Sequence, residues 1–341
     1  MEPDLNVYYS MEYPTDILPT APEPQTSTIG AGSVILVIVN IIIFLLGISG
    51  NGIVIWISGV KMKRSVNTTW YLSLACSDFI FCACLPFSIV NMATSAWPFG
   101  LVMCKFIPLI MFLNMFSSIF LLVIISVDRC ASVVFPVWVQ NHRTVKAASV
   151  LVTLAWIVSV ALSVPSLVFR DTKVEGHKTI CYNNFGKGVP THWNVVFSRF
   201  VCGFLIPFVI ITLCYTIIIL KLKNNRMTKS SKPFKVMSAL IVTFFVCWLP
   251  YHIFVLLEVY NELHNHNIVT GLMVSATLVS ANSTMNPFLY AFMGKDFKKT
   301  CSILSKIENA MSDDARTASK RQSCTQDSKV STDPQGEMSA V

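Results

Sequence analysis

Seven stretches of this chain are too apolar and too long to sit anywhere but in lipid. Residues 24–60, 106–127, 147–169, 200–220, 236–257 and 263–294 carry no Asp, Glu, Lys or Arg, and residues 65–104 carry only Asp78. About 20 residues of helix cross a bilayer. In hydrocarbon there is no water to bond the backbone, so each stretch must satisfy its own N–H and C=O groups as a helix. Of the 341 residues, 13% are charged and 53% hydrophobic, whereas a soluble domain carries about 25% charged residues. A soluble core would need seven fully buried helices in one small chain, which these numbers argue against. The predicted fold class is all-α, a seven-transmembrane helix bundle with a short amphipathic cytoplasmic helix. Spans are expected near residues 31–60, 66–93, 101–134, 146–168, 194–222, 234–259 and 267–293.

The charged residues give the orientation. Glu2, Asp4, Glu12, Asp16 and Glu23 precede the first span, with no Lys or Arg among them. Lys61, Lys63 and Arg64 lie in the first connection, Arg129, Arg143 and Lys146 around the third, and Lys221, Lys223, Arg226, Lys229, Lys232 and Lys235 in the fifth; Lys295, Lys298, Lys299 and Lys306 follow the seventh span. Basic segments stay in the cytoplasm. A multi-pass plasma-membrane protein with its N-terminus outside and its C-terminus inside is expected. The net charge of +8 is this cytoplasmic rim, suited to anionic membrane lipids and acidic partners and requiring no nucleic acid. The polar, acidic first residues lack the basic-then-apolar order of a cleavable leader, so the first span is expected to act as its own signal anchor.

Four regions follow: residues 1–28, an extracellular disordered segment; 29–293, the bundle; 294–307, the amphipathic helix; and 308–341, a disordered tail rich in Ser and Thr. Phe297, Cys301 and Leu304 recur on one side of the amphipathic helix, which is expected to lie on the inner leaflet; Cys301 is a palmitoylation candidate there. Of the eleven cysteines, Cys76, Cys82, Cys84, Cys202, Cys214 and Cys247 lie within spans, where a thiol acts as a small apolar group. Only Cys104 and Cys181 fall outside, and two cysteines in an oxidising compartment have one intramolecular pairing. No metal-ligand spacing occurs and no structural metal is expected.

An ionisable residue deep in a span is costly and marks function by default. Asp78 is the only such acid. Asn51, Asn114, Ser118, Asn282, Ser283 and Asn286 are polar residues that can meet it. Two readings stand side by side: a site for a small hard cation such as sodium, at Asp78, Asn114, Ser118, Asn282 and Asn286, or a hydrogen-bonded structural cluster. No other cofactor is implied.

Short motifs, one per span and in order, resemble the rhodopsin-like receptors that couple to G proteins. They are Gly50-Asn51, Leu74-Ala75-Cys76-Ser77-Asp78, Asp128-Arg129-Cys130, Trp156, Pro207 with Tyr215, Cys247-Trp248-Leu249-Pro250, and Asn286-Pro287-Phe288-Leu289-Tyr290. The resemblance covers about residues 30–305. Its implied switch consists of Ile119, Pro207 and Phe244 as a packing relay, Asp128 and Arg129 at the inner mouth, and Tyr215 and Tyr290 meeting near Arg129 when span six swings out. Proline removes a helix hydrogen bond and kinks the helix, so Pro207, Pro250 and Pro287 place hinges in spans five, six and seven. Many members hold the arginine with an acid on span six, but residues 221–257 here contain none. Asp128 is the obvious remaining partner, and Cys130 stands where the family has tyrosine.

The candidate ligand-binding residues are Arg170, Arg199, Glu258, Met111, Phe112 and Trp248. Opsins attach retinal to a lysine in span seven, which residues 263–294 lack. Amine receptors carry an aspartate where this chain has Met111. Formyl-peptide receptors carry one where it has Phe112. Asp128-Arg129-Cys130, residues 136–143 and residues 165–172 resemble the chemerin and formyl-peptide receptor group, and residues 232–235 and 293–299 lean toward its chemerin branch. The resemblance implies an extracellular peptide or protein ligand, inhibitory G proteins, arrestin, receptor kinases and signalling to chemotaxis. A formyl-peptide or other chemoattractant or lipid-mediator receptor is the alternative. A channel or transporter would show a polar pore stripe or duplicated halves. An intramembrane enzyme would need catalytic groups paired at one depth, and Asp78 has no such partner.

Overall fold

The computed structural model describes residues 31–185, 189–224, 232–260 and 266–293. Among them are seven helices long and apolar enough to cross a membrane: Gly32–Lys61, Val66–Thr94, Gly100–Val134, Val145–Val168, Thr191–Lys223, Met237–Tyr260 and Asn267–Leu289. These agree with the expected spans to within a few residues. In chain order the elements are α1 (Ala31–Trp56), α2 (Val66–Thr94), α3 (Gly100–Val134), the short α4 (Pro136–His142), α5 (Val145–Ser163), α6 (Pro165–Val168), β1 (Arg170–Glu175), β2 (Lys178–Asn183), α7 (Val189–Phe200), α8 (Ile206–Asn224), α9 (Lys232–Tyr260) and α10 (His266–Met293).

Local chemistry sets several of these ends. Ser65 caps α2 in a reciprocal box: its hydroxyl accepts from the Thr68 backbone N–H at 3.2 Å, and the Thr68 hydroxyl accepts from the Ser65 N–H at 2.8 Å. Both satisfy backbone donors a helix start leaves orphaned. Thr144 caps α5 in the same sense, accepting from the Ala147 N–H at 3.2 Å. The fifth span is continuous but not uniform. A π-helical segment, Val201–Leu205, joins α7 to α8, and Pro207, which has no N–H to give the ladder, follows it directly. Pro250 and Pro287 lie inside α9 and α10, where hinges were expected, and Pro86 and Pro108 lie inside α2 and α3 as well.

The long α3 runs through the middle of the bundle. Met115, Phe116, Ile119, Leu121 and Ile125 of α3 are fully buried, packed with Leu74 of α2 and with Met237, Phe244 and Trp248 of α9. Ile35, Leu45, Ile53, Ile157, Leu213 and Val246 are instead exposed. A soluble monomer would not show so extensive an apolar surface; here it faces lipid. Among the described residues the structure departs from the all-α expectation only in the connection between spans four and five, where β1 and β2 form an antiparallel hairpin. Gly176 has φ 60° at the first of two turn residues, the position where a type II′ hairpin turn favours glycine. The Cys104–Cys181 disulfide, Cα–Cα 5.7 Å, ties β2 to the start of α3 as expected.

Candidate functional site

Three polar centres lie along the bundle: one under the hairpin, one at mid-depth, and one at the opposite end.

Under the hairpin, Arg199 from the last turn of α7 lies flat on the Phe112 ring of α3, 3.6 Å from its centroid. A guanidinium over an aromatic face gains a cation–π attraction. Its Nη2 donates to the Ser166 hydroxyl at 3.0 Å. Its Nε is buried with no hydrogen-bond partner among the described residues. Phe112, where an acid would have neutralised Arg199, instead supplies a ring. Arg170, the first residue of β1, is a second guanidinium at this end. Burial holds its pKa below the ordinary arginine value, partly offset by Tyr251 and Glu258 nearby, and an arginine remains cationic through such shifts. Glu258 is exposed on α9. Beneath these groups Trp248 is 1% exposed, with the Phe244 and Tyr251 rings each 5.8 Å from it. Met111 packs half-buried against the core. The sequence reading missed Ser166, Tyr251 and His252. His252 is buried among Phe200, Phe204, Trp248 and Tyr251, and its Nε2 finds no partner among the described residues. A histidine directly after a tyrosine, two residues past Pro250, was the available signal.

At mid-depth both Asp78 oxygens are engaged. Asn114 Nδ2 donates to Oδ1 at 2.9 Å and Asn286 Nδ2 to Oδ2 at 2.6 Å. The Ser283 hydroxyl donates to Asn114 Oδ1 at 3.2 Å, and Ser77 and Ser117 share a 2.6 Å hydrogen bond beside them. Asn51 Nδ2 bonds the Ser283 carbonyl at 2.9 Å, tying α1 to α10. Of the residues considered for a cation, the structure joins Asp78, Asn114 and Asn286 directly. Asn282 is buried but makes no hydrogen bond to Asp78 among the described residues. Ser118, one helical turn from Asn114, is buried with its hydroxyl unpartnered among the described residues. The Asp78 carboxylate and the orphaned Ser118 hydroxyl are oxygen donors of the kind a small hard cation takes, and Asp78 would supply the charge.

At the end opposite the hairpin, Asp128 and Arg129 close α3. Their direct contact is loose, 3.4 Å from Arg129 Nη2 to Asp128 Oδ2. Asp128 is held more tightly by Arg143, just past α4, whose Nε and Nη2 reach its two oxygens at 2.7 and 3.1 Å. That is the bidentate fork arginine forms with a carboxylate. Asn67 at the start of α2 accepts from both guanidiniums through one oxygen, from Arg143 at 2.7 Å and from Arg129 in a short bond. The sequence placed Arg143 in the basic rim and in the 136–143 stretch, and singled out neither it nor Asn67 as a site residue. Ile119 and Phe244 lie in one buried cluster with Tyr215 packed partly buried against it, and Pro207 is buried. The Tyr290 side chain, Cys301, the amphipathic helix and the tail lie outside the described residues.

With this geometry in view, the likeness to known proteins is specific. The family model for the seven-transmembrane receptors of the rhodopsin family matches residues 50–290. Chemerin-like receptor 1 of Homo sapiens is 45% identical over 301 residues, covering 82% of this chain and 81% of that one. The C3a anaphylatoxin chemotactic receptor of Oncorhynchus mykiss is 41% identical over 280 residues, 79% and 77% of the two chains. Formyl peptide receptor 2 of Mus musculus is 37% identical over 303 residues, 83% and 86% of the two.

Proposed function

The chain belongs to the rhodopsin family of seven-transmembrane receptors, and we propose that it is the cell-surface receptor for a chemoattractant peptide or protein, chemerin first among the candidates. It is a multi-pass membrane receptor of the chemoattractant type and not an enzyme. In our reading the hairpin end is extracellular, the Asp128 end is cytoplasmic, and the bound peptide shifts the equilibrium toward a state that engages an inhibitory G protein. Receptor kinases and arrestin then act on the tail.

The observation that carries this reading is the stacked, half-buried Arg199 with Arg170 nearby. The sites of two guanidiniums, Arg199 braced among the described residues by a ring and a hydroxyl, favour an incoming carboxylate. The exposed Glu258 on α9 can take a basic group further along the same peptide. A terminal carboxylate seated at Arg199 lies above Tyr251 and Trp248. Its pull on that layer would be passed through Phe244, Ile119 and the kink at Pro207 to the cytoplasmic half of α9. Swinging α9 out would open the mouth in which Arg129 sits, leaving that arginine to meet backbone carbonyls of the G protein. Asp78 with Asn114, Ser118 and Asn286 would hold sodium in the resting bundle, supplying a charge that favours the inactive packing.

The test is a screen of transfected cells for inhibition of cAMP synthesis and for arrestin recruitment, with chemerin, formyl peptides and complement fragments as agonists. Chemerin is expected to act at the lowest concentration. A response to formyl peptides alone would replace the ligand assignment and leave the receptor class standing.

A further inference from the structure

The outer edge of β1 is a vacant half of a β-ladder. The carbonyl of Thr179 on β2 accepts from the Trp97 N–H at 2.6 Å, so it points away from β1. Thr179 pairs with Val174, and antiparallel pairs alternate between exchanging hydrogen bonds and turning their polar groups outward. Val174, Thr172 and Arg170 therefore all direct their backbone groups away from β2. Two other bonds agree with this phase. The Asn184 N–H donates to the Phe169 carbonyl at 2.7 Å, continuing the inward series, and the Thr172 N–H is taken at 2.8 Å by the carboxylate of Asp171 rather than by β2. The two edges of the hairpin thus differ. The β2 edge is engaged at Thr179 by the α2–α3 connection. On the β1 edge the Thr172 carbonyl and the N–H and carbonyl of Val174 have no hydrogen-bond partner among the described residues. Val174 is 74% exposed and Arg170 and Thr172 are half-buried, so the edge opens to solvent toward its tip.

We propose that this edge receives the peptide ligand as a third, antiparallel strand, which rests on the reading of Arg199 as the seat of the ligand's terminal carboxylate. What selects an extended peptide with a free C-terminus as the occupant is where the edge leads. β1 begins at Arg170, the second half-buried guanidinium of the cationic centre, and its tip is at Glu175 beside the turn. A peptide with its carboxylate at Arg199 leaves the centre past Arg170 and then meets the open edge. It runs C-terminus inward while β1 runs outward from Arg170, so the two strands are antiparallel. Strand addition takes affinity from main-chain hydrogen bonds and leaves every second side chain free. The ligand is then recognised by its terminal charge and by its backbone, with weak side-chain demands between them.

The probe is a synthetic peptide of about ten residues copying the C-terminus of chemerin, long enough to lie along a strand of β1's length and still reach Arg199. Binding is measured on full-length receptor in membranes at matched surface expression. Val174→Pro removes the outward N–H without touching the hairpin's own ladder, because proline is tolerated at an edge position; Val174→Ala keeps the N–H and removes the side chain. Val174→Pro is expected to weaken the peptide about tenfold, the effect of one lost hydrogen bond, and Val174→Ala to leave it nearly unchanged. N-methylation along the peptide should weaken wild-type binding at alternate positions only. The position that pairs with Val174 should keep its effect in Val174→Pro, because its N–H donates to the residue-174 carbonyl, which proline retains. Equal affinity for Val174→Pro and wild type, or an N-methyl scan without alternation, overturns the proposal. The carboxylate reading is tested separately: if Arg199→Ala binds normally while Val174→Pro does not, strand addition stands and the assignment of the terminal carboxylate falls.

Discussion

Removing Arg143 should quieten the receptor, while neutralising Asp128 should activate it. Asp128 is shared between two guanidiniums, and the sharing is unequal: Arg143 holds both oxygens at 2.7 and 3.1 Å, and Arg129 reaches one at 3.4 Å. The Asp128 and Arg129 side chains are 13% and 14% exposed and Arg143 is 27% exposed, so solvent screens the Arg143 arm more. A charge-assisted hydrogen bond of this kind contributes roughly 1.5–3 kcal/mol before screening, and about 1–2 kcal/mol is a reasonable worth for the looser Arg129 contact. Asp128→Asn forfeits that hold on Arg129. A resting population of about 1% active receptor would rise roughly five- to thirty-fold. Arg143→Ala instead leaves the carboxylate to Arg129 alone, which can then close to bidentate distance. The hold should grow by about 1 kcal/mol and ligand-free signalling should fall about five-fold. The assay is ligand-free guanine-nucleotide exchange in membranes at equal receptor density, with a dose–response to chemerin beside it. If Arg143→Ala raises basal exchange as Asp128→Asn does, Arg143 works as a strap on the resting state rather than a competitor for Asp128, and the reasoning is wrong.

Arg199→Ala should weaken a carboxylate-ended peptide by about tenfold or more, and amidating the peptide should then cost little further; binding assays in which the two losses add in full would separate the arginine from the terminus. Asp78→Asn should abolish the effect of sodium on agonist affinity and impair signalling while agonist still binds; an intact sodium response in that variant would make the cluster purely structural. Truncation after Ser305 should spare G-protein activation and reduce arrestin recruitment and internalisation, because Ser312, Thr317, Ser319, Ser323, Thr325, Ser328, Ser331 and Thr332 are lost and phosphates on them would add the negative charge a basic arrestin groove takes. Normal internalisation by the truncated receptor would move the switch to Ser230 and Ser231.

The spans were legible because lipid imposes one rule on every residue within it: charges absent, backbone bonds closed locally. The Cys104–Cys181 bridge was legible because orientation left two cysteines outside. The mid-membrane cluster was legible in membership but not in detail. Asn114 and Asn286 take the two Asp78 oxygens, whereas Asn282, adjacent in sequence to Ser283, is buried without a hydrogen bond to Asp78 among the described residues. Contacts made by exposed-looking connections were not legible. Arg143 read as one more rim charge and Asn67 was not singled out, and only the approach of α2, α3 and the end of α4 brings them onto Asp128 and Arg129. The hairpin was missed for a related reason. Six-residue strands with polar and apolar faces mixed give a weak period-two signal, and the Gly176-His177 turn stood without a clear alternation around it.

The central claim is that an extracellular chemoattractant peptide or protein drives this bundle to activate a G protein. The most direct measurement uses purified full-length receptor in lipid nanodiscs with a purified inhibitory G protein, following guanine-nucleotide exchange with and without chemerin. The account predicts saturable acceleration by chemerin, lost in Arg129→Ala and right-shifted in Arg199→Ala. Exchange that stays at the receptor-free rate with chemerin, formyl peptides and complement fragments alike, on receptor shown by its Cys104–Cys181 disulfide to be folded, would contradict it.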